Sequence, residues 1–244
     1  MTVLWLDLGN TRLKYWLIDD GKVIASDAKE HLKAPNELLM GLFGTFVRFH
    51  PEFVGISSVL GEKINAKIAD TLRELGVPFE FAKVNDKHPM LHSHYDPLQL
   101  GVDRWLQMLG AVNGGKQCIV GCGTALTIDI IDGGVHLGGY ILPNAYMQRH
   151  ALYAGTQQIG VKQGRFDSLE LGCTTDDAVH HGILFGIVGA VKSIQANYPE
   201  FELVLTGGGA MTLAPHLYGA TVDEGLILTG LQRYFERCRD GEIA

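Results

Sequence analysis

The sequence lacks any apolar run long enough to cross a bilayer. Its longest, Gly182–Val191, is about half of the roughly 20 residues a membrane helix needs. The opening MTVLWLDLGN has no basic start and is interrupted by Asp7, so no secretory signal is expected. Cysteine is scarce. Cys118, Cys122, Cys173 and Cys238 are too few for a disulfide scaffold in 244 residues, the first two are spaced one residue wider than C-x-x-C, and no second pair completes a zinc site. Reduced structural thiols in a cytoplasmic protein are the expectation. Basic charge is also short: 20 Lys and Arg against 27 Asp and Glu leave a net charge of −7, the opposite of a nucleic-acid footprint. Gly114-Gly115-Lys116 is followed by Gln117 and lacks the spacing of a phosphate-binding P-loop; no G-x-S-x-G elbow occurs, nor a G-x-G-x-x-G after a strand. Those absences weigh against P-loop NTPases, α/β-hydrolases and dinucleotide enzymes.

What is present is an apolar, glycine-rich chain. Hydrophobic residues make up 46% and charged residues 19%, enough for a proper core in one large domain or two small ones. The 31 glycines exceed the average of roughly 7% and suggest tight turns and close backbone approach to a ligand. Thr2–Leu8 reads as a strand ending at Gly9-Asn10-Thr11, Arg12–Ile18 as an alternating strand, and Asp19-Asp20-Gly21 as a hairpin turn into a third strand, Lys22–Ser26. Helical spacing follows over Glu37–Phe49 and Ile64–Leu75, with strands at Phe53–Ser57 and Pro78–Lys83, a loop rich in His, Pro and Asp up to Leu100, and a helix over 102–113. The opening then recurs. Gln117–Val120, the turn Gly121-Cys122-Gly123-Thr124, the strand Ala125–Ile131, the turn Asp132-Gly133-Gly134 and the strand Val135–Leu142 overlay the first unit at an offset of 114, with Gly9 on Gly123. Polar Met147–Ser168, a helix Thr175–Ala196, a strand Glu202–Leu205 and a helix Gly225–Cys238 complete the chain. The pattern predicts a duplicated α/β fold divided near Asn113-Gly114-Gly115 into 1–113 and 114–244.

Three glycine turns follow apolar strands: Gly9-Asn10-Thr11 after Asp7-Leu8, Gly121-Cys122-Gly123-Thr124, and Thr206-Gly207-Gly208-Gly209. A phosphate chain needs backbone N–H groups from a turn without bulky side chains, hydroxyl donors, and a nearby carboxylate to hold Mg²⁺ through waters. The first turn supplies all of these through Gly9, Asn10, Thr11 and Asp7. A second constellation is Tyr95-Asp96-Pro97 followed by Gly101-Val102-Asp103-Arg104. Phosphoryl transfer to an alcohol needs a carboxylate that accepts the hydroxyl proton, beside cations that hold anionic partners. Asp103 and Arg104 meet that description, the blander alternative being a helix cap and a surface charge. His88, His92, His94, His180 and His181 lack the partners of a metal site and read as solvated or locally bonded.

Together, Asp7-Leu8-Gly9-Asn10-Thr11, Tyr95-Asp96-Pro97, Gly101-Val102-Asp103-Arg104 and Gly123-Thr124-Ala125-Leu126-Thr127-Ile128-Asp129 resemble the type III pantothenate kinase family, and the likeness continues through Leu137-Gly138-Gly139, 175–182 and Thr206-Gly207-Gly208-Gly209. The resemblance implies the actin-like (ribonuclease H-like) fold of the acetate and sugar kinases, two related α/β domains around a nucleotide cleft. It implies a first phosphate loop over Asp7, Leu8, Gly9, Asn10, Thr11, Arg12, Leu13 and Lys14, a further ATP contact at Thr124, and pantothenate contacts at Tyr95, Gly101, Val102, Asp103, Arg104 and Thr175. Asp103 would be the general base. Where the family pattern has an aspartate that binds a potassium or ammonium ion, this sequence has Gly121, so that ligand is missing.

The expectation is ATP- and Mg²⁺-dependent phosphorylation of pantothenate in the cytoplasm by a homodimer, with no nucleic-acid or membrane partner. Arg12, Lys14 and Arg104 are the candidates to offset the charge of two anionic substrates. The alternatives are a non-catalytic accessory protein, as the family's older name of Bvg accessory factor suggests, and a different small-molecule kinase of the same superfamily. The intact Asp7 and Asp103 argue against the first.

Overall fold

The computed structural model describes residues 1–31, 34, 37, 39, 44, 48–155 and 164–239; most of the helix expected over Glu37–Phe49 lies outside them. Strand β1 (Thr2–Leu8) is buried along almost its whole length. It pairs antiparallel with β2 (Arg12–Asp19), which sets Asp7 opposite Lys14 and Leu8 opposite Leu13. Asp20 and Gly21, both at positive φ (42° and 77°), turn the chain into β3 (Lys22–Glu30). The sequence places the end of β3 at Ser26. The strand runs four residues further because its pairing with β2 continues to Arg12–Glu30, although little of it is buried. Strand β4 (Phe53–Ser58) lies parallel to β1 and β5 (Phe79–Phe81) parallel to β4, giving the order β3-β2-β1-β4-β5.

A second sheet repeats this plan. Strands β7 (Lys116–Cys122), β8 (Ala125–Asp132) and β9 (Val135–Pro143) form the antiparallel meander. Strand β10 (Glu202–Thr206) runs parallel to β7, and β11 (Thr221–Val222) parallel to β10. With β6 (His92–Ser93) on the far edge, the order is β11-β10-β7-β8-β9-β6. The duplication extends to details. Residues 2–8 recur as 116–122 and 22–30 as 135–143, and the β2–β3 register shift between Leu17 and Ile18 recurs in β8–β9 between Ile130 and Ile131. Only the first turn differs, being one residue shorter in the second copy.

The helices are α1 (Glu62–Glu74), α2 (Val102–Ala111), α3 (Ala145–Gly155), α4 (Thr175–Asn197), α5 (Ala210–Leu213) and α6 (Leu226–Arg239). Helix α3 starts two residues ahead of the stretch 147–168 that reads only as polar and runs into it: it buries no side chain, so no apolar stripe marks it. Strands β6 and β11, two residues each, are too short for a period-2 signal. Helix α4 opens with a reciprocal cap, Thr174 Oγ1 accepting from Asp177 N–H at 3.1 Å while donating to Asp177 Oδ2 at 2.8 Å. Its inner stripe includes Ile183, Leu184, Ile187, Val188, Val191 and Ile194. No described helix is long and apolar enough to cross a membrane. Cys118, Cys122 and Cys173 are free, and burial pushes the first two thiols up to about 12, so they are packing groups.

The chain forms two compact units. The first is Met1–Leu91, Tyr95–Gly110 and Gly225–Ala244; the second is His92–His94 and Ala111–Glu224. In the first, Leu4, Leu6, Leu8, Leu17, Val54 and Ile56 meet Ile68 and Leu72 of α1. In the second, the β7, β8 and β10 side chains pack on α4. Within the first unit α2 and α6 cross at two glycines. A Cβ on Gly110 would strike the Leu226 carbonyl, and one on Gly230 the Leu106 carbonyl. Arg233 Nη1 donates to the carbonyls of Leu109 (2.7 Å) and Gly110 (3.1 Å), satisfying the end of α2 that lacks intrahelical partners. Because the backbones already touch, Gly230→Ala must push α2 and α6 apart. It is expected to destabilise by about 1–3 kcal/mol, despite alanine's better helix propensity. A thermal midpoint several degrees below wild type checks this.

Candidate active site

The carboxylate of Asp7 sits near the end of a fully paired central strand. It is 6% exposed, with Lys14 opposite on β2 and Ser57 opposite on β4. Burial raises its pKa from 3.8 to about 6; the Lys14 charge and the Ser57 hydroxyl pull it down, and the Asp103 charge pushes it up. Asp7 and Asp103 are therefore close enough to repel. A buried, under-compensated carboxylate with a second acid in electrostatic reach suits a magnesium–phosphate group, which Asp7 would hold through water. Among the described residues no three His, Cys, Asp or Glu side chains form a metal cluster, so phosphate and water oxygens would complete the shell.

The turn after β1 is bonded from both sides. Gly9 N–H donates to the Arg12 carbonyl at 3.0 Å and closes the loop, so that donor is unavailable to a phosphate. The Gly9 carbonyl accepts from His31 Nε2 at 2.8 Å, and His31 N–H donates to the Thr11 carbonyl at 3.1 Å. Asn10, Thr11 and Arg12 are exposed at the rim of this turn, whereas Leu8 and Leu13 lie in the core, so any ligand contact they make is through backbone. His31 carries no sequence signal: it is an isolated histidine just past an exposed strand.

Asp103 lies in the first turn of α2, where the helix dipole favours a carboxylate. Gly101 stands in the capping place, its carbonyl accepting Trp105 N–H at 3.0 Å, and a Cβ there would fall 2.6 Å from Asp103 Oδ1. A side chain at 101 would push that carboxylate aside. Asp103 Oδ1 accepts Arg104 N–H at 2.8 Å. Arg104 is no surface charge: it is 4% exposed, with its guanidinium 5.5 Å over the ring of Tyr95. Asp7, Lys14, Tyr95, Gly101, Val102, Asp103 and Arg104 thus all belong to the first unit, with Asp7 and Asp103 in electrostatic reach and Arg104 on Tyr95.

Thr124 and Thr175 belong to the second unit. Thr124 is exposed beside Gly123, whose N–H donates to the Ala125 carbonyl at 3.1 Å and whose carbonyl accepts from Asn144 Nδ2 at 3.0 Å. The third glycine turn closes on the second: Gly209 N–H donates to the Cys122 carbonyl at 3.0 Å, and Gly207, at φ 85°, passes so near Cys122 that a Cβ would lie 2.9 Å from its oxygen. Thr175 is exposed on the first turn of α4. Gly121 lies buried in β7 opposite Thr127 and Thr206. Ahead of Tyr95, β6 is secured by a buried chain missed in the sequence: Ser93 Oγ is 2.8 Å from His136 Nδ1, and His136 Nε2 is 3.0 Å from Asp129 Oδ1. Three other histidines are bonded locally. His88 is buried and accepts Met90 N–H at 3.3 Å, while His180 and His181 each bond a carbonyl through Nδ1.

Comparison with known proteins identifies the family and the fold. Residues 3–197 match the family model of type III pantothenate kinase. The chain is 54% identical over 240 residues to the type III pantothenate kinase of Psychrobacter arcticus, covering 97% of this chain and 99% of the relative. Among solved structures it resembles a Campylobacter jejuni protein named as a Baf family transcriptional activator, with a TM-score of 0.66 at 21% identity and coverage of 97% and 99%. It also resembles Spiroplasma citri MreB5 bound to ADP, with a TM-score of 0.57 at 10% identity and 98% of each chain covered. These likenesses bear on the fold alone, a duplicated actin-like α/β architecture. By its matched length and its identity to such relatives, the chain belongs to the type III pantothenate kinase family.

Proposed function

We propose that this protein transfers the γ-phosphoryl group of ATP to the primary hydroxyl of pantothenate, the first step toward coenzyme A, in the cytoplasm. The observation that carries this reading is the placement of Asp103 at the head of α2, next to the buried Arg104 and within electrostatic reach of Asp7 beside the phosphate turn. Asp103 accepts the hydroxyl proton as the new O–P bond forms and the bond to the ADP oxygen breaks. Arg104 grips the substrate carboxylate in bidentate fashion while stacked on Tyr95, a geometry a lysine cannot reproduce. The resemblance assigns the phosphate side to Asp7 through Lys14 and Thr124, and the pantothenate side to Tyr95, Gly101 through Arg104, and Thr175. Mg²⁺ held by Asp7 neutralises the phosphates when bound.

A homodimer accords with an open face on α4. Gly182, Phe185, Gly186 and Gly189 share one exposed stripe of that helix, and Phe185 is 66% exposed. The mass in solution, against 26.6 kDa for one chain, is the direct check.

Asp103→Asn tests the assignment of the base. It is expected to lower kcat by roughly 10²–10⁴-fold with little change in pantothenate binding. A variant retaining more than about a third of the wild-type kcat would show that Asp103 only caps its helix.

Asp7→Asn tests the phosphate side and has a second consequence. The carboxyl of Asp7 is harder to ionise folded than unfolded, so the folded state holds its proton more tightly between pH 4 and 6. Stability falls as pH rises through that window, and the rise from 3.8 to about 6 corresponds to about 3 kcal/mol once the group is charged. Asp7→Asn should therefore lose Mg-ATP turnover, keep pantothenate binding, and melt higher than wild type at pH 8. That advantage should vanish below pH 4. A variant that melts lower than wild type at pH 8 would contradict the burial argument.

The position of Gly121 bears on monovalent cations. It is the duplicate of Asp7, but its neighbours across the sheet are Thr127 and Thr206 in place of Lys14 and Ser57. An aspartate at 121 would be buried without a cross-strand lysine, and a potassium or ammonium ion is what would compensate it. With glycine there, nothing calls for the ion. Replacing potassium by sodium at constant ionic strength is expected to change the rate only slightly, and a collapse in sodium would mean that other groups build a cation site.

A further inference from the structure

In each copy of the duplicated sheet, the residue that follows the third strand donates a side-chain N–H to the carbonyl of the turn glycine. His31 follows β3 and bonds Gly9 through Nε2 at 2.8 Å; Asn144 follows β9 and bonds Gly123 through Nδ2 at 3.0 Å. The two residues occupy equivalent places in the repeat, yet they differ in type, burial and other duties. His31 is 3% exposed and also ties Thr11 through its backbone N–H. Asn144 is partly exposed and also caps α3, its Oδ1 accepting Met147 N–H at 2.8 Å. Different side chains that converge on one bond to one carbonyl point to a requirement of the turn itself.

That requirement follows from the turn's geometry. Both glycines spend their N–H on the carbonyl that opens the next strand, Arg12 or Ala125. The peptide group that follows each glycine has its carbonyl on the glycine and its N–H on the next residue, Asn10 or Thr124, and the two ends of a planar peptide point in opposite directions. Fixing the carbonyl therefore fixes where that N–H points. A donor aimed at a phosphate must be held before the ligand arrives if it is to bind without an ordering cost.

We propose that His31 and Asn144 are positioning residues for the two phosphate turns, orienting the Asn10 and Thr124 N–H groups toward the nucleotide without touching it. This rests on the kinase reading given above. The test pairs a variant that removes each donor with one that keeps it or spares the other duty. His31→Leu removes the donor, and His31→Gln places an amide N–H where Nε2 stood. Asn144→Ser keeps a capping oxygen for Met147 but is too short to reach Gly123. His31→Leu and Asn144→Ser are each expected to raise KM for ATP roughly five- to tenfold, the worth of about one hydrogen bond, with KM for pantothenate within twofold of wild type. His31→Gln should return KM for ATP close to wild type. Amide exchange in the ATP-free protein should accelerate at 9–11 in His31→Leu and at 123–124 in Asn144→Ser. Unchanged KM for ATP, an equal rise in both KM values, or a His31→Gln variant as impaired as His31→Leu would overturn the proposal. If wild type fails to phosphorylate pantothenate, the kinase reading falls, while the exchange rates still decide whether these side chains hold the turns.

Discussion

A carboxylate buried in the middle of a sheet is the constraint around which the first unit is arranged. Asp7 cannot be moved to the surface, because β1 is paired on both sides and its neighbours Leu6 and Leu8 are fully buried. Its charge has only Lys14 across one strand and the Ser57 hydroxyl across the other, and Asp103 adds repulsion. The site therefore carries stored electrostatic cost until something positive arrives. On the kinase reading proposed above, a metal–phosphate group would offset that cost.

The second copy of the sheet shows what happens when that constraint is lifted. Gly121 occupies the place of Asp7, and the lysine opposite has become Thr127. Neither the acid nor the base is present here, so this place holds no buried charge to compensate. The turn beyond it kept its hydrogen bonds: glycine N–H to the next strand, glycine carbonyl to a side chain past the third strand. What the duplication preserved is backbone geometry, and what it let drift is charge.

The same distinction decides how much was legible in the sequence. The meanders were visible because each central strand alternates or runs apolar between glycine turns, and their bounds fell within a few residues of the observed ones. Asp7, Asp103 and Arg104 stood out because carboxylates and cations beside strand and helix ends are chemically conspicuous. His31, Asn144 and the Ser93–His136–Asp129 chain did not, because their key hydrogen bonds reach partners 21 to 43 residues away, the local His136–Asp129 contact excepted. Helix α3 was missed for lack of a buried stripe, and the edge strands were too short to show a period. The return of α6 to the first unit had no local sign either, since what matters is that Gly110 and Gly230 meet, 120 residues apart.

That crossing bears directly on the chemistry. The base proposed above must hold a carboxylate oxygen within a few tenths of an ångström of a hydroxyl, so that reading requires a stiff helix under Asp103. Three contacts make it so. Gly101 lets the carboxylate fold back onto its own first turn, Arg233 closes the carbonyls at the far end, and the glycine crossing leaves the backbones of α2 and α6 no room to slide. The buried Arg104 then cannot swing out to solvent without breaking its stack on Tyr95. On the proposed reading, the precision of Asp103 rests on Gly101, on Arg233 and on the glycine crossing of α2 and α6.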